Sequence, residues 1–433
     1  MDTLTYYKKR FEQLGNANGN GLSAIRRNAF DAFSKMGVPT SRHEEWKYTR
    51  ISSLFNKEYE IPGETAESGI SPADLDGIRL PGYGEANELF FVNGIYSPEL
   101  SVVRSPELQV QTLEKAAAGE HAAWIKAQLG HSASYLKDGI NALNTAFAHG
   151  GAFLKVKKGS ITEHPVYIYN ITDARGRNML SQPRSLIHVT ENAQVSIVET
   201  YASFGKEESF SNQVMEVVIE RDAMLEYYKI QNDESRTGQV STTHIRQSGK
   251  SHVHAVTVTL GGKMVRNNLN IVMEEQHSEA HMYGFYFPEG DAHVDNHTIV
   301  DNVAPNCYSN ELYKGVMKEN STGVFNGKIF VRQQAQKTNA YQSNKNILLS
   351  PDATINTKPQ LEIFADDVKC SHGCTVGKLD EEGLFYLRSR GVPESIARSL
   401  LLHGFALDIL EQIRPEHIRN YVDRLISERL ELL

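Results

Sequence analysis

Residues 357–378 read TKPQLEIFADDVKCSHGCTVGK and divide the chain. Upstream, from about Gly151 to Ala365, short runs of β-branched and aromatic residues follow one another, and downstream the text turns helical. The upstream runs include VYIY (166–169), VSIV (195–198), VTVTL (256–260), LNIVM (269–273) and VFNGKIFV (324–331), with Gly, Asn, Asp and Ser between them at short intervals. This is an all-β pattern. Its length leaves two geometries, a very large sandwich or a solenoid in which each coil stacks on the last. The strict repeat of hexapeptide solenoids is absent, so the pattern alone leaves both open.

The dividing stretch also concentrates soft metal ligands. Cys370 and Cys374, two of the three cysteines, flank His372, and Asp366 and Asp367 lie just upstream. In an extended strand, side chains at i, i+2 and i+4 point to one side, so the three would share a face. Thiolate and imidazole together suit zinc, copper(I) or iron–sulfur species. A closed zinc site needs a fourth ligand, however, and no second Cys/His pair follows. Gly373 predicts a bend that would scatter the three side chains. Spacing alone therefore leaves open a turn with inert thiols.

The run KPQLEIFADDVKCSHGCTVGKLDEEGLFYLRSRG (358–391) closely resembles the SufB/SufD family of SUF iron–sulfur cluster assembly scaffold subunits, in its SufD branch. Further stretches agree in the same order: SRHEEWKYT (41–49), LFFVNGIYSPELS (89–101), ALNTAFAHGGAFLKVKKG (142–159) and the long segment 293–359 that begins HVDNHTIVDN. The resemblance implies a mainly β protein with a right-handed parallel β-helix core at 151–375. An N-terminal mainly helical region with a linker and a short strand segment (1–150) would precede it, and a C-terminal helical domain (376–433) would follow. It further implies a non-catalytic scaffold that assembles nascent iron–sulfur clusters with a SufB-like paralogue and a SufC-like ATPase. By the same resemblance, His372 lies at the contact with the paralogue and is the candidate ligand of a transient cluster or iron. Cys370 sits beside it. Cys374 is the weaker candidate, because the family commonly has alanine there. The ATPase would dock on the C-terminal helices, with Phe385, Leu400, Leu401 and Phe405 as candidate contacts. A reduced flavin in the complex and a homodimer of the isolated chain stay open. So do a SufB-like role, which the small number of cysteines disfavours, a β-helix carbohydrate-binding protein, and a stand-alone metalloprotein built on the central histidines.

The remaining text is consistent with these expectations. A chain of 433 residues with 40% hydrophobic content suits two or three domains. Its net charge of −8 argues against nucleic acid and anionic membranes as partners. No 18-residue apolar run occurs and the start MDTLTYYKKRFEQLG has no apolar signal core, so a cytoplasmic protein is expected. Three cysteines make no disulfide framework, and the sequons at Asn170, Asn296 and Asn320 are then chance matches.

Residues 1–60 read as helices in pieces, with Tyr7, Phe11 and Leu14 on one face and a second helix from Leu22 to Met36, stopped by Gly37 and Pro39. Trp46 reads as the anchor of an arm. The stretch 56–84 reads as a linker, and LFFV (89–92) with Asn93-Gly94 as a strand and tight turn. Beyond Lys378, Gly391 ends one helix, and Pro393 and Pro415 open two more. These carry apolar stripes at Ile396, Leu400, Leu407 and Leu410, and at Ile418, Tyr421, Val422, Leu425 and Ile426. Seven of sixteen histidines fall between His244 and His297 and read as strand residues of a polar sheet, and Cys307 as a packed thiol. Gly249-Lys250-Ser251 has His244 where a phosphate-binding loop needs its first glycine, so no ATP site is expected. No zinc-protease pair or nucleophile elbow is present.

Overall fold

The computed structural model describes residues 3–14, 22–55, 57–62, 69–233 and 236–431. Residues 56 and 63–68 of the expected linker fall outside these. Its described part includes a short helix, Pro72–Asp76, closed by a reciprocal capping box between Ser71 and Asp74.

The strands form two ten-stranded sheets, and from Arg184–Val189 onward successive strands alternate between them. Tyr308 pairs in register with Asn339, and Asn339 with Lys369, both in parallel. Each of these coils therefore takes 31 or 30 residues and contributes one strand to each sheet. The body is a parallel β-helix, as the resemblance implies. The repeat is written in geometry more than in residue type. Six of the corners between the sheets turn on a left-handed non-glycine residue: Asn192, Asp222, His277, Asn306, Glu319 and Lys337, with φ between 55° and 62°. Asn, Asp and His are enriched in that region, whereas Glu and Lys adopt it against preference. No single letter marks the period.

Between the sheets runs one apolar core, with Val195, Leu225, Val253, Ala280, Met282 and Phe325 among its members. The outer faces are covered by helices. On one face the helices Thr3–Leu14, Ser23–Met36 and Gly139–Ala146 bury Tyr7, Phe30, Phe33 and Leu143 against Phe210 and Val240. Trp46 anchors the arm between them: it is fully buried, its indole N–H donates to Asp138 (3.2 Å), and the Arg266 guanidinium lies 3.8 Å from its ring centroid. The strand at Asn87–Val92 pairs in parallel with Val166–Asp173, so this part of the N-terminal region extends the solenoid sheet. Asn93 and Gly94, both at positive φ, turn it back into the hairpin strand Ile95–Val102.

The helices Glu394–Leu410 and Glu416–Glu431 fold back along the outer face of the second sheet. Leu402, Ala406, Ile409, Ile418, Val422 and Ile426 pack there with Tyr228, Val256 and Phe285. Lys314 to Asp408 (2.5 Å), Arg414 to Glu226 (2.6 Å) and Arg429 to Glu289 (2.7 Å) tie them down. The C-terminal helices therefore clothe a face and do not cap the solenoid end. The last coil is left open, because the strands Thr354–Ile363 and Lys369–Gly377 contain no fully buried residue. Among the described residues no helix is long and apolar enough to cross a membrane.

Candidate functional site at the open end of the solenoid

Cys370, His372 and Cys374 all lie on the last strand, Lys369–Gly377. The bend expected at Gly373 is absent: the ladder with Asn339–Leu348 is unbroken from Lys369 to Gly377, and Gly373 sits opposite Ser343. Main-chain pairing on one side fixes the extended form more strongly than the glycine loosens it. The register sets Cys370 beside Ala340, His372 beside Gln342 and Cys374 beside Asn344. Those three neighbours are buried. Residues paired across a parallel ladder point to the same side, so the three candidate ligands face the lumen where it opens. Cys370 is half-buried and packs on the core, and burial pushes its thiol up. His372 and Cys374 are exposed.

A shared face does not make a complete metal site. Among the described residues no group of three or more His, Cys, Asp or Glu side chains is placed to hold a metal ion. Asp366 and Asp367 are exposed in the preceding turn, where the Asp367 amide donates to Gln336 (2.9 Å).

Four of the central histidines are held by partners within the fold. His244 is buried and shares a hydrogen bond with His131 (2.9 Å), and burial lowers it to about 3. His254 reaches the Gln412 carbonyl (2.7 Å), His293 bonds Thr49 (2.8 Å), and His297 lies 3.0 Å from Asp295. His244, His254 and His297 are buried, because terminal segments cover this part of the body, whereas His252, His281 and His293 are half-buried and His277 is exposed. Cys307 is a packed thiol, fully buried and pushed up to about 11 by that burial.

A cavity of about 650 Å³ lies between the arm at 43–46, the segment 131–138 and the covered sheet. Its charges are largely matched in place: Arg266 with Asp295 (3.0 Å), Lys328 with Glu45, Arg332 with Asp301 (2.7 Å).

At the C-terminal helices, Phe385 is 75% exposed and Leu400 53%. Leu400 lines a groove of about 490 Å³ with Ile396, His403 and Leu430. Leu401 and Phe405 are turned toward the body, and Phe405 carries the Lys314 ammonium 4.5 Å from its ring centroid. Sequence reasoning missed Glu311 and Gln342, the buried polar side chains that line the lumen behind His372. Their signal, a Glu and a Gln at inward positions of mixed polar strands, is readable only once the inward parity is known.

The comparisons agree along the whole length. The sequence model described as SUF system FeS cluster assembly, SufBD core domain, matches residues 170–405, and that of the SufBD protein N-terminal region matches 2–168. An iron–sulfur cluster assembly SufBD family protein of Synechocystis is 31% identical over 93% of this chain and 90% of its own length. The iron–sulfur cluster assembly protein SufD of Escherichia coli is 28% identical over 98% of this chain and 96% of its own. A chloroplastic protein of Arabidopsis thaliana, ABCI7, is 32% identical over 61% of this chain and 57% of its own. With two family domains laid end to end over a β-helix of this form, the chain belongs to the SufBD family of the SUF system of iron–sulfur cluster assembly.

Proposed function

We propose that this protein is a SufD-type, non-catalytic scaffold subunit that works with a SufB-like paralogue and a SufC-like ATPase. Its cargo is a nascent iron–sulfur cluster, or iron on the way to one. The observation that carries the reading is the last strand, which presents an exposed imidazole and a half-buried thiol in one row on an unpaired edge. One chain offers too few convergent ligands to hold a cluster, and a second β-helix pairing along that edge would bring the rest. A site divided between two chains can also be opened by moving them, which suits a cluster that must leave. His372 is the principal ligand and Cys370 its neighbour, and Cys374 is an auxiliary thiol. The SufD-type assignment over the SufB-like one rests on the cysteine supply. Cys307 is locked in the core, leaving only the two thiols of the last strand.

The ATPase docks on the exposed side of the C-terminal helices, at Phe385 and Leu400. Leu401 and Phe405 support that surface from beneath. Because the same helices are ion-paired to the solenoid through Lys314, Arg414 and Arg429, a movement of the docked ATPase would be passed to the body and its open end.

The test is His372→Ala in the complex isolated anaerobically from cells, with iron and sulfide counted per complex. Both fall to background while paralogue and ATPase are still recovered. A variant complex with wild-type iron and sulfide would overturn the assignment of His372.

A further inference from the structure

The row of side chains behind His372 continues into the lumen. In-register pairing sets Glu311 beside Gln342 and Gln342 beside His372. All three face inward, at about 4.8 Å from strand to strand. Glu311 is 1% exposed and Gln342 3%. Gln342 Nε2 donates to Glu311 Oε2 at 2.8 Å, while Gln342 Oε1 is buried with no partner among the described residues. In a planar amide the oxygen and nitrogen diverge, so turning the NH₂ toward the coil of Glu311 turns the oxygen toward the coil of His372. The opposite wall is shaped for this arrangement. At Gly327 a Cβ would stand 2.2 Å from Gln342 Nε2 and 2.7 Å from its Cδ, so any other residue there would displace the amide. A buried acceptor without a donor is costly. The next side chain in its row is the His372 imidazole, which carries an N–H.

Resting on the reading of His372 as a ligand, we infer that Gln342 is the positioning residue of the site. Its Oε1 accepts the N–H of the inward imidazole nitrogen and fixes the tautomer. The lone pair of the other nitrogen is then directed out of the open end toward iron. Glu311 holds the amide in this orientation from the coil behind, and it keeps an acceptor oxygen for Gln342 whether or not it carries a proton. Histidine ligands commonly give their second N–H to such an acceptor, and losing it typically costs about 10–100-fold in metal affinity.

The experiment compares Gln342→Met, the double exchange Glu311→Gln with Gln342→Glu, and His372→Ala, each in the full complex isolated anaerobically. Iron and sulfide per complex are the readout, and co-recovery of both partners reports folding. Gln342→Met keeps the length of the side chain but has no acceptor, and it lowers cluster content about tenfold. The double exchange returns it to within a few-fold of wild type. In that variant the amide moved to position 311 can donate to the carboxylate moved to position 342, whose second oxygen still accepts from His372. A position that merely filled space would show no loss in Gln342→Met, and one that donated to the imidazole would not be restored by a carboxylate. Wild-type content in Gln342→Met, or an intact double-exchange complex without cluster, overturns the inference. Should Gln342→Met fail to assemble, the double exchange alone decides. Wild-type content in His372→Ala instead removes the ligand assignment itself, so the two failures are told apart.

Discussion

Glu311 is a buried carboxyl of the lumen, 1% exposed. Burial pushes its carboxyl up to about 7, from an ordinary value of 4.5. An acid with a raised folded-state pKa favours folding fully below its unfolded value, and that contribution is lost as pH rises through the folded one. Between about pH 4.5 and 7 the wild-type chain should therefore lose roughly 3 kcal/mol that Glu311→Gln does not lose. Chemical denaturation of the two isolated proteins checks this: the variant gains little at pH 5 and roughly 3 kcal/mol at pH 8. Parallel curves at both pH values would mean that Glu311 is ionised in the fold without penalty. His244 and His149, lowered by burial to about 3 and about 4, act in the opposite sense. They stabilise above their unfolded value near 6.5 and cease to do so as pH falls, and the difference between wild type and variant cancels them. At this scale the sequence was half legible. Cys370, His372 and Cys374 stand out by type and spacing, whereas Glu311 and Gln342 look like any polar strand residues until the register shows which way they point.

The C-terminal helices show the same division one level up. Their boundaries are local chemistry: Asp380 accepts from the amides of Glu382 and Gly383 to start one helix, Gly391 at φ 87° follows its end, and Pro393 and Pro415 stand just before the next two. Which side packs is a tertiary matter. Of the stripe Ile396, Leu400, Leu407 and Leu410, only Leu410 is buried, while Leu402, Ala406 and Ile409 make the seal. The apolar content of Glu394–Leu410 spreads around the helix, so spacing alone does not choose a face. The two faces predict opposite consequences for one chemical change. Leu402→Asp puts an unpaired carboxylate into the seal and should cost about 3–5 kcal/mol, comparable to a broken buried pair, seen as a lowered unfolding midpoint. Leu400→Asp should leave that midpoint within about 0.5 kcal/mol and lose at least tenfold in affinity for the ATPase by titration calorimetry. Undiminished ATPase binding by Leu400→Asp would move the docking surface elsewhere on these helices.

For the whole molecule, the decisive property is asymmetry: helices clothe both faces of the solenoid, and its final coil is left uncovered. The sequence reached a parallel β-helix through resemblance and not through pattern, because the period of 30 or 31 residues is carried by corners of varied letters such as Asp222, His277 and Lys337. It held no sign of the open end, which depends on where the last helices return. An uncovered terminal strand carries a row of unpaired main-chain groups, and the register says which. Lys369 donates to the Thr338 carbonyl (2.9 Å), so odd-numbered residues of this strand bond inward to the ladder, while Cys370, His372, Cys374 and Val376 direct their amides to the free edge. Proline is tolerated where the missing N–H faces outward. Val376→Pro should therefore keep the isolated chain within about 1 kcal/mol of wild type, whereas Thr375→Pro removes a ladder bond and should destabilise it clearly. If the paralogue adds a strand at this edge, Val376→Pro leaves one of its carbonyls unpaired at a cost of about 1–3 kcal/mol, a loss of about tenfold or more in paralogue affinity. Calorimetric titration of the two β-helix chains measures it. Wild-type affinity in Val376→Pro, with Thr375→Pro destabilised as expected, would mean that the partner covers the open end through side chains without extending the sheet, and that it meets His372 and Cys370 face-on.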